Sequence, residues 1–356
     1  MRNKLNFYIR KFLKEWLLIS SIIATLSTSI YLKRFPSYSH SDFEVLFILF
    51  LLFVIIKGLE NSNFFLFVGK FLEKGGFIPL KLVCITAFLA MFVTNDVSLL
   101  IIVPLTLSLN ITKKGFIVIL EALAANAGSA LTPFGNPQNI FIYWFYHLNF
   151  TVFFKTIFPF TIVSLGIILP FSLLVKSEKI EKKEPKQQHI DNSIFLNIIF
   201  LLIMILIIFH ILPLYLGFIP LIYYILFQRK NFNIDYILIA TFFFFFGFTD
   251  NLKSVIDLKI NNSHHVFLFS ALLSQFISNV PSALLFSDFT SNWKALLWGV
   301  NVGGYGNLVG SLANLIAYRI FVTYNKEKLY GLKMTVAGYV LFIFSSIIYF
   351  AYSALQ

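Results

Sequence analysis

"NAGSALTPFGNPQN" (Asn126–Asn139) and "NVGGYGNLVGSLAN" (Asn301–Asn314) align over fourteen residues without a gap. Asn126 falls on Asn301, Gly128 on Gly303, Gly135 on Gly310 and Asn139 on Asn314. Each stretch interrupts a long apolar segment with residues that weaken a helix, such as Gly128, Pro133, Gly135 and Pro137 in the first. An unwound helix exposes N–H and C=O groups, which hydrocarbon tolerates only where protein or a water-filled cavity surrounds them. Helix N-termini then offer partial positive charge to an anion, and unwound carbonyls offer oxygen to a small cation. Close helix packing is the other use of such glycines. Two matched sets in one chain favour a binding site.

The match extends upstream. "FVTNDVS" (Phe92–Ser98) corresponds to "FISNVPS" (Phe276–Ser282): phenylalanine, a branched residue, a hydroxyl, asparagine, two further residues, serine. These motifs lie at the polar centres of two apolar stretches, 77–108 and 264–290. Each half-stretch is too short to cross about 30 Å of hydrocarbon. We read each as a re-entrant hairpin with Asn95 or Asn279 at its tip. Amphipathic surface helices are expected just before the hairpins, over Asn61–Gly76 and Asp250–Asn262. Both halves therefore run crossing, surface helix, hairpin, Gly-rich broken helix, final crossing, which is an internal repeat.

Composition agrees with a membrane location. The mean hydropathy is +0.82, with 58% hydrophobic and 12% charged residues, whereas soluble domains are about a quarter charged. Runs such as "SIFLNIIFLLIMILIIFHI" (Ser193–Ile211) are long enough to span a bilayer. Nine crossings are expected, near 16–32, 43–60, 115–147, 151–175, 193–211, 213–228, 233–250, 295–323 and 334–353. With the N-terminus cytoplasmic, the C-terminus outside and the hairpins not crossing, 22 of the 28 Lys and Arg fall on the cytoplasmic side, as the positive-inside bias requires. The repeats then start from opposite sides. The expected fold class is an all-α polytopic membrane protein, an inverted-repeat secondary transporter with two re-entrant hairpins and two broken transmembrane helices. Residues 1–175 form the N-terminal repeat, 176–192 a cytoplasmic linker and 193–356 the C-terminal repeat. The net charge of +12 is explained by cytoplasmic loops beside the lipid bilayer, and no nucleic-acid recognition motif accompanies it. The single cysteine, Cys84, cannot form an intrachain disulfide.

On "TND" (Thr94–Asp96), "SNVP" (Ser278–Pro281), "GSALTPFGNPQN" and "GGYGNLVGSLANLI" (Gly303–Ile316), the chain resembles the ArsB/NhaD-type ion transporters. That group includes arsenite permeases, citrate permeases and divalent-anion/sodium symporters. The resemblance covers the chain from about Phe43 onward. It implies that the tips and broken-helix loops enclose the substrate and coupling ions. The implied substrate- and ion-binding residues are Thr94, Asn95, Asp96, Gly128, Ser129, Thr132, Gly135 and Asn136 in the first half. In the second half they are Ser278, Asn279, Pro281, Gly303, Gly304, Gly306, Asn307 and Gly310. It also implies Na⁺ near Asn95 and Asn279, and a homodimer. The dicarboxylate carriers resemble "SNT" at both tips, whereas this chain has "TND" and "SNV". That departure counts against a dicarboxylate, and an acidic residue after the tip Asn is more like the arsenite-permease branch.

Asp96 stands in an apolar run where a carboxylate is costly unless paired, solvated or protonated. It is read either as the residue that couples transport to H⁺ or Na⁺, or as a helix cap. Glu121 is either a second carboxylate in the path or the partner of a Lys near the cytoplasmic end. Arg319 is read as an anchor of its helix at that end, with pairing to an anion as the alternative. The expected function is alternating-access transport of a small anion or oxyanion, coupled to H⁺ or Na⁺. A Na⁺/H⁺ antiporter or an arsenite efflux permease on the same scaffold is the alternative. An enzyme is not expected: the sequence holds no H-E-x-x-H, no G-x-S-x-G, no paired Asp-rich motif and no ATP-binding P-loop.

Overall fold

The computed structural model describes residues 16–64, 76–176, 193–256, 259–325 and 327–354. These form fifteen α-helices and no β-strand. The first half contains α1 (Trp16–Leu32), α2 (His40–Asn61), α3 (Ile78–Val93), α4 (Asn95–Ser108), α5 (Lys114–Ala130), α6 (Pro137–Phe145) and α7 (Phe150–Ser172). The second contains α8 (Ser193–Ile208), α9 (Phe218–Phe227), α10 (Tyr236–Lys253), α11 (Ser263–Ile277), α12 (Asn279–Ser287), α13 (Trp293–Gly303), α14 (Leu312–Tyr324) and α15 (Tyr330–Ser353).

Local chemistry sets many of the helix starts. Ser39 and Asp42 form a reciprocal capping box at the head of α2. Pro79 occupies the first turn of α3, where its missing N–H costs nothing. Asn149, Asp235 and Asn262 cap α7, α10 and α11 through side-chain oxygens.

The helices divide into two groups by their contacts. α1 packs along α10, and α2 packs against α8 and α10. The Arg34–Asp250 ion pair ties the end of α1 to that of α10. We call these helices, with α9, the framework. The other ten, α3–α7 and α11–α15, form a core in which α3 lies on α5, α11 on α13, α4 on α14 and α5 on α7. Narrower contacts of α2 with α6 and of α10 with α12 join core to framework.

The expected span 115–147 consists of α5 and α6 separated by six non-helical residues, 131–136. The span 295–323 consists of α13 and α14 around 304–311. Residues 213–228 form a four-residue 3₁₀ turn plus the ten-residue α9. Together they return the chain to the level at which α8 begins, where the Tyr224 hydroxyl donates to Asn197 Oδ1 at 2.8 Å. One expectation needs correction: residues 250–262 do not form a surface helix, because Asp250–Lys253 complete α10, and the described residues that follow are turn and irregular chain up to Asn262. The first expected surface helix falls mainly on 65–75, and most of the expected linker on 177–192; both lie outside the described residues.

Candidate functional site

Two single-residue turns organise the site. Thr94 alone joins α3 to α4, at φ 81° and ψ 151°. Ser278 alone joins α11 to α12, at φ 75° and ψ 160°. This is backbone territory that is almost reserved for glycine and costs other residues on the order of 1–3 kcal/mol. Neither hydroxyl caps the helix that follows. Contacts from the broken-helix loops hold the turns in place, and the same contacts occur twice. The Asn95 N–H donates to the Gly135 carbonyl at 3.2 Å, and the Asn279 N–H to the Gly310 carbonyl at 3.0 Å. The Thr132 hydroxyl donates to the Met91 carbonyl at 2.6 Å, and the Asn307 amide to the Gln275 carbonyl at 2.9 Å.

The loops are in turn held by asparagine amides. Asn139 donates to the carbonyls of Ser129 and Thr132, and Asn314 to those of Gly304 and Asn307, the corresponding positions. The other end of each asparagine reaches across the molecule. Asn126 donates to Asn314 at 2.8 Å, and Asn301 donates to Asn139 at 2.9 Å. Asn95 donates to Asn126 at 3.1 Å, so the first tip joins the same network. All are buried. A buried amide left without partners costs about 1–3 kcal/mol, so this network fixes both loops at once.

Between the tips lies a small cavity of about 50 Å³, lined by Asn95, Pro137, Asn279 and Leu312 among others. These four are the first residues of α4, α6, α12 and α14. Four helix N-termini thus converge on one space, each carrying partial positive charge. Residues 137 and 312 follow N-caps whose side chains bond the first turn, Asn136 and Ser311. No Lys or Arg is among the lining residues. A second cavity, about 210 Å³, lies where core and framework meet, between Lys57, Glu60 and Asp235 on one side and Thr94, Asp96 and Ile316 on the other. Asp96 lines both cavities. Its Oδ1 is buried without a hydrogen-bond partner, and the Asp96 N–H is satisfied by Asn95 Oδ1.

The sequence-selected residues take three places. Thr94, Asn95, Asp96, Ser278, Asn279 and Pro281 line one cavity or both. Ser129, Thr132, Gly135, Asn136, Gly304, Asn307 and Gly310 build the loops behind them. Asn136 caps α6 and reaches Asn301 Oδ1 at 3.3 Å. Gly128 and Gly303 are packing residues: a Cβ on Gly128 would stand 2.1 Å from the Ala87 carbonyl oxygen, and one on Gly303 2.5 Å from the Ser274 side chain. Gly306 needs its freedom twice over, for φ +87° and for a Cβ position 2.1 Å from Gln275 Oε1.

Several residues were missed in the sequence-based set. Asn126, Asn139, Asn301 and Asn314 mark the repeat there but hold the site here. Ser311, Gln138 and Gln275 also contribute. The signal for the four asparagines was their constant spacing of 175 positions between the halves. Among the described residues Glu121 pairs with no Lys: it is fully buried, accepts from the Thr106 hydroxyl, and its Oε2 has no partner there. Arg319 is exposed on α14.

Comparison with known proteins agrees in kind. Residues 15–299 match the citrate transporter family CitMHS. An uncharacterized transporter of Methanocaldococcus jannaschii is 36% identical over 294 residues, covering 78% of this chain and 81% of that protein. The inner membrane protein YbiR of Escherichia coli is 32% identical over 302 residues, 78% of this chain and 80% of its own length. The silicon efflux transporter LSI3 of Oryza sativa is 32% identical over 139 residues, 37% of this chain and 28% of its own. These relatives are named as transporters or membrane proteins, and none as an enzyme. With its broken helices and apolar surface, the chain is an integral membrane protein, and it belongs to the citrate transporter family CitMHS.

Proposed function

We propose that the protein is a secondary active transporter that moves a small anion or oxyanion across the cytoplasmic membrane by alternating access, coupled to H⁺ or Na⁺. One observation carries this reading: four helix N-termini converge on a single cavity between two asparagine tips. Such ends attract negative charge without a fixed cation. In this reading the two halves are inverted repeats, α3–α4 and α11–α12 are re-entrant hairpins, the N-terminus is cytoplasmic and the C-terminus outside. The duplicated hydrogen bonds at the tips support the repeat. The narrow contact between core and framework supports movement of one against the other.

Asp96 is the coupling residue in this reading. It sits between the tip cavity and the core–framework cavity, and its carboxylate makes none of the hydrogen bonds to α4 amides that a cap would make. Na⁺, if it is the coupling ion, is held by oxygens near Asn95 and Asn279. A cavity of about 50 Å³ has room for roughly four waters, which favours a small oxyanion over citrate. The lack of Lys and Arg in its lining also favours a second reading, efflux of an uncharged hydroxide such as arsenite. The silicon-named relative supports that reading too.

Uptake into proteoliposomes tests both. Sulfate, phosphate, citrate, succinate, arsenite and silicate are offered under imposed pH and Na⁺ gradients. Gradient-driven accumulation of one small oxyanion is expected. Movement of arsenite or silicate alone would select the second reading, and no gradient-dependent flux of any of them would reject both.

A further inference from the structure

A further cavity shares no lining residue with the two at the tips. It holds about 790 Å³ between the start of α5, the end of α7 and the start of α15. Its walls are apolar, with Phe116, Ile119, Leu174 and Val336 among them, and its rim carries Lys113 and Lys333. Leu174 and Val336 are more than half exposed. Lys113 makes no ion pair among the described residues, whereas Lys333 is held by Glu327, which also lies on the rim. Lys176 follows the lining residue Val175, and its carbonyl accepts from the N–H and hydroxyl of Thr112, the residue before Lys113. The rim is therefore net positive above an apolar trough.

We propose that this groove is a binding site for an anionic phospholipid, with an acyl chain along the apolar wall and the phosphate against Lys113 and Lys333. The volume falls in the range of small-molecule sites. Basic pockets between membrane helices on the cytoplasmic side suit acidic headgroups, each Lys contributing about fivefold in affinity. Placement at the cytoplasmic surface rests on the topology proposed above, in which α5 and α15 begin and α7 ends on that side. An uncharged trough would be filled by any lipid, and a polar one by none. The combination of lysines and apolar wall selects an acidic lipid.

The test uses full-length protein in detergent, with thermal stability followed as phosphatidylglycerol or phosphatidylcholine is added. Phosphatidylglycerol should stabilise at concentrations several-fold below those needed for phosphatidylcholine. In K113Q/K333Q that preference should be lost, and K155Q, a charge loss elsewhere on α7, should retain it. V336W, which fills the trough, should weaken both lipids. Equal stabilisation by the two lipids, or an undiminished preference in K113Q/K333Q, would overturn the proposal. So would stabilisation by glycerol phosphate alone, or a native mass spectrum in which a second copy of the chain protects the groove instead of lipid. Labelling of Lys328→Cys in a Cys84→Ala background reports the topology by itself, and none of these readouts depends on transport.

Discussion

The two halves of the core share a skeleton and differ in charge. At the tips, Thr94-Asn95 and Ser278-Asn279 turn at nearly the same backbone angles and lean on the same loop carbonyls. One position later, the first half has Asp96 and the second Val280. In the broken helices, the position of the buried Glu121 is taken by the buried Leu296. The loops also diverge: Gly306, at φ +87°, stands where the first half has Leu131 in ordinary helical geometry. The buried Glu121 and Asp96, whose Oδ1 has no partner, both belong to the first half. The duplicated parts build the enclosure, and the unduplicated parts carry ionisable chemistry.

Breaking that asymmetry should have its largest effect at Asp96. Asp96→Asn should lower gradient-driven uptake by about 100-fold or more, since a proton- or cation-binding group is lost outright, while leaving the protein folded by circular dichroism. Moving the acid, as Asp96→Val with Val280→Asp, should not restore it, because Asp235 and Glu60 face only the first tip. Unimpaired coupling in Asp96→Asn would remove the residue from the mechanism.

The shared skeleton should respond alike in both halves. Asn126→Ala and Asn301→Ala each leave a buried partner amide unmatched and should each cost about 1–3 kcal/mol in a denaturation series. Each should also disturb the opposite half, so the double variant should cost less than the sum of the two singles. Strict additivity would mean that the two cross-pairs are independent.

Gly306→Ala sharpens the contrast between the loops. It places a Cβ in a left-handed backbone and against Gln275, and about 1–3 kcal/mol of destabilisation is expected. Leu131→Ala, at the matching position, should show no backbone penalty. The smallest effect should come from Glu121→Gln, which keeps an acceptor for Thr106 and should change stability by about 1 kcal/mol or less. A large change in pH-driven uptake in that variant would make Glu121 a second coupling residue.

Much of this was legible in the sequence, for definite reasons. Gly and Pro placed the breaks in α5–α6 and α13–α14, because helix propensity penalises them whatever the surroundings. The centres of the hairpins were visible as polar residues where apolar ones should be. The pairing of Asn126 with Asn314, and of Asn301 with Asn139, was not visible. A constant spacing shows that two residues are equivalent, not that each binds the other's counterpart. For Glu121 the sequence left a place in the path or a Lys partner open, because its surroundings are set by α4, which brings Thr106. The surface helix at 250–262 failed because α10 runs on as far as Lys253 and absorbs the first of those residues.

The crossed amides between Asn126 and Asn314 and between Asn301 and Asn139 also bear on how such a chain can diverge. Two halves that share a skeleton are free to specialise separately only where they do not clasp each other. Here the four asparagines are interlocked, so substitution at one is felt at once by a residue 162 or 188 positions away. Drift is confined to places such as Asp96 and Val280, where one copy can acquire a charge without disturbing the clasp.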